Sequence, residues 1–267
     1  MRKLIVIAVS LWLLTSLAGC RWQLHPSADA RHGVSIAIDR FDRMERLYLT
    51  TGDVAALHQM KTEFPIQTRT LIEDVLRLGA VNDSDINIRW LRYYQDSTLQ
   101  CLLDDVGKQY EQIDDIDRQL SASFRRLAEL LPGISIPHVY AQVGSLDQSI
   151  VIADSTLGIS LDKYLGLDYP LYLRFGFSRQ QRQMMTRDCI VPDCLSFYLL
   201  SLYPLPDADS LDHAARRFHM SKIQCLVNKA MGHQFFRGDT LTCLQHYRFS
   251  HPRLSADEFL HLPSMPQ

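Results

Sequence analysis

Histidine and cysteine are the residues to search first for metal chemistry, and this chain has ten of one and six of the other. No two histidines stand four apart, and the H-E-x-x-H pattern that puts two imidazoles on one helical face is absent. His213 and His219 are six apart, which turns them to different faces of a helix. Cys189 and Cys194 have four residues between them, the wrong spacing for a usual zinc knuckle. Asp83-Ser84-Asp85-Ile86-Asn87 begins like a calcium loop, but Ile88 stands where the sharp turn needs Gly and Tyr94 where a bidentate Glu is needed. It reads as a polar loop with Asn82 as a turn or cap residue. No G-x-S-x-G elbow, phosphate-cradling P-loop or G-x-G-x-x-G turn occurs. Asp154 and Asp162 could meet in a cleft as an acid pair, but ordinary surface acids are by far the better reading. The expectation is a chain with no catalytic residue, no metal site and no cofactor.

One thiol has a clearer chemistry. Arg2 and Lys3 precede a short apolar run from Leu4 to Leu14, and Leu17-Ala18-Gly19-Cys20 closes the segment. A basic start, an apolar centre and small residues at the end make an export signal. The run is too short to span a bilayer comfortably. The closing tetrad resembles the bacterial lipobox, where the cysteine thiol takes a diacylglyceryl group, the chain is cut before it, and the new amine is acylated. Small Ala18 and Gly19 let a peptidase approach the backbone. Cleavage is expected between Gly19 and Cys20, with acyl chains of the palmitate kind on Cys20. Each buried CH₂ contributes about 0.8 kcal/mol, and two or more chains hold firmly where one does not. The other reading is an ordinary cleaved signal with a cysteine at the cut by chance; the agreement of all four positions favours the lipid.

These residues need a body to carry them. The expected organisation is a signal peptide over 1–19, a lipidated tether over 20–33 and one domain over 34–267. Apolar residues at 46% and charged residues at 22% suit a globular core. A net charge of −2, without a basic stripe, argues against a nucleic-acid partner. Val34 to Ile38 alternates like a strand. Val54, Leu57, Met60 and Phe64 mark a helix stopped by Pro65, and Leu71, Ile72, Val75 and Leu76 another ending at Gly79. The longest pattern runs from about Leu103 to Leu131, with Val106, Tyr110, Ile113, Leu120, Phe124, Leu127 and Leu131 on one stripe. From Ile136 three short β-like runs are separated by Gly144-Ser145 and Asp154-Ser155. Ser178 with Gln181, Ser221 with Gln224 and Ser255 with Glu258 read as capping boxes, the second opening a helix that runs towards Gly238. Pro192 starts a helix closed by Pro204. The fold class is α+β, predominantly α-helical, with a small central sheet. Cys189 could bridge to Cys194 and Cys225 to Cys243, but buried free thiols fit the sequence at least as well.

Several stretches together resemble the gliding-motility lipoproteins of the GldB type. They are Ile38-Asp39-Arg40-Phe41-Asp42, Leu131-Pro132-Gly133, Ile136 to Tyr140, and above all Gly158-Ile159-Ser160-Leu161-Asp162-Lys163-Tyr164-Leu165-Gly166. Ile190-Val191-Pro192-Asp193 and Leu226 to Gly232 are similar to its later helical motifs, the last departing from the family pattern at Asn228-Lys229-Ala230. The resemblance implies an envelope lipoprotein in the cell membrane or outer membrane, and the lack of an acidic run after Cys20 points it towards the periplasm. It would be associated with the gliding apparatus, and its partners would be the membrane and other envelope or motility proteins. It also implies a distantly zincin-like fold, although the comparable helix, from Cys189 to Tyr203, contains no His. The alternative is therefore a degenerate zinc-peptidase-like hydrolase with an unrecognised site. Physically, Leu161, Tyr164 and Leu165 would pack between sheet and helices, Asp162 would accept backbone N–H bonds, and Gly166 would permit a turn at positive φ.

Overall fold

A short three-stranded sheet sits among helices in the computed structural model, which describes residues 34–205 and 212–264. Before the sheet come α1 (Phe41–Thr51), α2 (Val54–Glu63), α3 (Pro65–Arg69, continuing into a π-helical turn over Thr70–Val75), α4 (Ile86–Tyr93), α5 (Ser97–Gln109) and α6 (Asp114–Leu130). The strands are β1 (His138–Gln142), β2 (Ile150–Ala153) and β3 (Thr156–Ser160). A 3₁₀ turn over Leu161–Tyr164 leads to α7 (Pro170–Arg174), α8 (Arg179–Gln183), α9 (Ile190–Leu202), α10 (His213–Met231), α11 (Asp239–Ser250) and α12 (Ala256–Leu260). The fold is α+β and predominantly helical.

Strand order is β1-β3-β2: β3 pairs parallel with β1, Tyr140 opposite Gly158, and antiparallel with β2, Val151 opposite Gly158. Every residue of β3 is buried, as expected of a central strand covered on both faces. Gly158 is required there, because a Cβ would lie 2.5 Å from the Tyr140 hydroxyl. Since β1 and β3 run the same way, the chain leaves both at one end of the sheet.

The stripe from Val106 to Leu131 is buried throughout, but it belongs to two helices. The chain breaks at Tyr110–Ile113, and the carbonyls freed there are taken by arginines: Arg40 Nη2 donates to Tyr110 O (2.8 Å), Arg43 Nη2 to Glu111 O (2.7 Å) and Arg187 Nη2 to Gln112 O (2.8 Å). Asp114, Asp115 and Asp117 then open α6, where negative charge suits the helix dipole. Periodicity survived the break because the kink keeps the same face inward.

Three further expectations are corrected. Val34–Ile38 is not a strand. Ile36 and Ile38 do point inward, but their N–H groups donate to Ser121 Oγ (2.8 Å) and Asp117 Oδ1 (3.1 Å), and only Asp39 bridges to β1. Ser221 and Gln224 lie inside α10, whose first turn is capped by Asp212 accepting from Ala215 N (2.7 Å). That helix stops at Gly232 (φ +80), not near Gly238. The helix marked by Leu71 to Leu76 is a π-helical turn that closes before Gly79. Ser178–Gln181 and Ser255–Glu258 do form reciprocal caps. α10 packs against α6, α9 and α11 and closes the second half of the core.

Candidate functional site

The loop that leaves β1 is held by side chains from four directions. Glu45 of α1 accepts from Val143 N (2.8 Å), and Tyr94 donates its hydroxyl to Val143 O (2.7 Å). Asp162, just past β3, accepts from Gly144 N at Oδ1 (2.8 Å) and from Leu146 N at Oδ2 (2.5 Å). Lys163 Nζ donates to Leu146 O (3.1 Å). Two loop residues, Ser145 and Leu146, are held at φ +56 and +65, a conformation that costs a non-glycine residue about 1–3 kcal/mol and persists only when its surroundings impose it. Glu45 and Asp162 are both fully enclosed. Burial drives the Glu45 carboxyl well above its usual range, with the Val143 amide opposing and the charges of Asp162 and Asp42 adding to the rise. Burial also raises Asp162, against the pull of the Gly144 and Leu146 amides. Glu45 Oε1, Gln142 Oε1 and Ser145 Oγ are enclosed without a hydrogen-bond partner among the described residues.

Beside this clamp the turn Leu161–Tyr164 makes a second junction. Tyr164 donates its hydroxyl to Asp193 Oδ2 (2.9 Å), in the first turn of α9. Its carbonyl accepts from Tyr110 Oη (2.5 Å). Asp193 is pushed up to about 6 by burial, with the Tyr164 hydroxyl opposing. A groove of about 370 Å³ opens over the pair, lined also by Lys163, Phe177, Gln181 and Met184. Lys163 Nζ lies 4.6 Å from the Phe177 ring centre, and burial lowers its pKa. Phe177 also lines a second groove of about 410 Å³, with Arg77, Tyr93, Ser145, Leu146 and Phe175. The two grooves therefore adjoin, and Tyr93, Phe175 (57% exposed) and Met184 stand apolar and open along their margin. Chemically the site offers a carboxyl that exchanges a proton near neutral pH and an apolar margin around it.

Leu161, Tyr164 and Leu165 are buried, and Gly166 takes φ +115 while its N–H donates to Met185 O (2.9 Å). Tyr172 ties the turn together, accepting from Leu165 N (2.9 Å) and donating to Asp162 O (2.5 Å). Asp154 sits in the β2–β3 turn, at the opposite end of β3 from Asp162, so those acids do not meet. Cys101, Cys189, Cys194, Cys225 and Cys243 are all free thiols, so neither pairing forms. His219 is buried against the Tyr203 carbonyl (3.0 Å). Asp83 and Asp85 both close on the Arg89 guanidinium (2.7 and 2.6 Å), an ion-pair cluster leading into α4. No group of three His, Cys, Asp or Glu suited to a metal occurs among the described residues. Gly19 and Cys20 lie outside those residues. Glu45, Gln142, Tyr94 and the role of Asp193 were missed in the sequence. Only Asp193 carried a signal, as the single charge in the apolar run from Ile190 to Leu202.

The model of the family described as gliding motility protein GldB matches residues 22–233, most of the chain. The chain belongs to that family. GldB membership associates it with gliding motility, and the matched span contains both the β1–β3 clamp and the Tyr164–Asp193 junction. No curated protein and no solved structure matches the chain. Among the described residues of this GldB-family protein, no helix is long and apolar enough to cross a membrane.

Proposed function

We propose that this GldB-family chain is a lipid-tethered, non-catalytic envelope protein that docks components of the gliding machinery. Its domain, 34–267, hangs from acylated Cys20 through the 20–33 tether once the 1–19 signal is removed, in the cell membrane or outer membrane and facing the periplasm. The observation carrying the docking reading is that exposed Tyr93, Phe175 and Met184 line two grooves that share the half-buried Phe177, since open apolar side chains clustered at a groove mark interaction surfaces. Family membership and Leu17-Ala18-Gly19-Cys20 support the compartment. Mass analysis of the mature N-terminus with membrane fractionation tests the tether: an acylated Cys20 in the membrane fraction is expected, and an unmodified soluble product refutes it. Co-purification with motility-apparatus proteins tests docking. It should be lost on replacing Phe175 and Met184 by Ser, and an unchanged partner set refutes this surface.

A second reading, a hydrolase, is favoured by one observation, the Tyr164–Asp193 pair under an open groove. Tightly held zinc, or a hydrolytic activity that chelation removes, would support it; activity unchanged by Asp193→Asn would count against it.

A further inference from the structure

The net charge of −2 averages over an uneven chain. From His213 to Arg253 there are seven Lys and Arg residues against a single acid, Asp239. Two of the seven, Lys229 and Arg248, line a groove of about 410 Å³ between the end of α10 and the face of α11. His233, Gln245 and Phe249 complete its working wall, and no carboxylate lines it. Neither Lys229 nor Arg248 forms an ion pair among the described residues. Arg248 packs its guanidinium 5.3 Å from the Phe259 ring centre and beside the buried Cys225 thiol, and its Nη1 is enclosed with no hydrogen-bond partner among the described residues.

Among the described residues the exposed Lys229 ammonium has no hydrogen-bond or ion-pair partner. The carbonyls ending α10 would oppose an anion, but they are already occupied. Asn228 O and Lys229 O accept from Gly232 N, and Ala230 O and Met231 O each accept from Arg126 Nη1 (2.9 Å). Asn228 fixes the opposite wall, accepting from Phe235 N (3.0 Å) and Phe236 N (2.9 Å) and donating to Phe236 O (2.9 Å). Gln245 spends its carbonyl on Gln234 (3.3 Å), which leaves its NH₂ to donate. A guanidinium, an ammonium and an amide lining one groove suit a tetrahedral oxyanion with several oxygens better than a carboxylate, which one guanidinium fork satisfies. Phe249, 86% exposed, stands at the rim.

We propose that this groove binds a phosphate group, either on a free phosphorylated solute or in the headgroup of an anionic lipid, with Phe249 then reaching into the acyl layer. The groove is separate from the Tyr164–Asp193 site and does not depend on the docking reading. Calorimetric titration of the full chain in a non-ionic detergent, with inorganic phosphate in one arm and short-chain phosphatidylglycerol in the other, tests it. Saturable binding is expected in at least one arm, and Lys229→Gln and Arg248→Gln should each weaken it about tenfold, which corresponds to about 1.4 kcal/mol. Arg248→Gln also removes a contact to Phe259, so exposed Lys229 carries the decision. Phe249→Ser assigns the source: it weakens the lipid arm and spares the phosphate arm if the ligand is a headgroup, and spares both if it is a solute. No binding in either arm, or binding that Lys229→Gln leaves within about twofold, overturns the proposal.

Discussion

Replacing Asp162 with Asn removes one charge and one acceptor while keeping the shape. In the native protein each carboxylate oxygen receives one amide: Gly144 N at 2.8 Å and Leu146 N at 2.5 Å. An Asn side chain keeps one oxygen and turns an NH₂ towards the other amide, so a buried donor faces a donor. Hydrogen bonds to a charged group contribute about 1.5–3 kcal/mol, and an unpaired buried donor costs about 1–3 kcal/mol. Removing a buried charge returns part of this, because burial already disfavours the ionised form of Asp162. The net loss expected is about 2–4 kcal/mol. For a domain of this size that lowers Tm by about 5–15 °C. The damage should begin locally, since the same carboxylate holds Ser145 and Leu146 in the left-handed region. Thermal unfolding followed by circular dichroism gives the first number, and amide exchange at Gly144 and Leu146 gives the second. A variant melting within about 2 °C of the native protein, with both amides equally protected, would refute the view that Asp162 organises this loop.

Three further outcomes follow from the same geometry. Asp193 has a folded pKa of about 6, above its ordinary carboxylate value, so its stabilising contribution is complete below about pH 4 and is lost as pH rises through about 6; Asp193→Asn should gain about 2–3 kcal/mol at pH 8 and nothing at pH 4, measured as urea midpoints at both. Glu45 is also raised and should leave a residual dependence of the same sign in that variant. Tyr164→Phe removes the hydroxyl that opposes the rise, so Asp193 should titrate higher than in the native protein; a carboxyl ¹³C titration at or below the native value counts against the hydrogen bond. Gly158→Ala puts a Cβ 2.5 Å from the Tyr140 hydroxyl and should cost about 1–3 kcal/mol; a native-like urea midpoint would mean that Tyr140 is free to move.

Composition and periodicity determined the class of fold, the three strands and their separators, and the inward faces of the helices. These properties repeat every two or three to four residues, so a short window of sequence contains them. The string from Leu161 to Gly166 likewise announced a turn, and its local features (buried Leu161 and Tyr164, positive φ at Gly166) are in the structure. What the window could not hold was decided in three dimensions. The break at Tyr110–Ile113 is stabilised by arginines at positions 40, 43 and 187. Asp162, expected to accept backbone N–H bonds, takes them from a loop sixteen to eighteen residues earlier, and Glu45 takes its own from one ninety-eight residues later. A carboxylate's role depends on which donors surround it and how much water remains. Both depend on strand pairing and helix packing, so Glu45 looks in sequence like any acid on the surface.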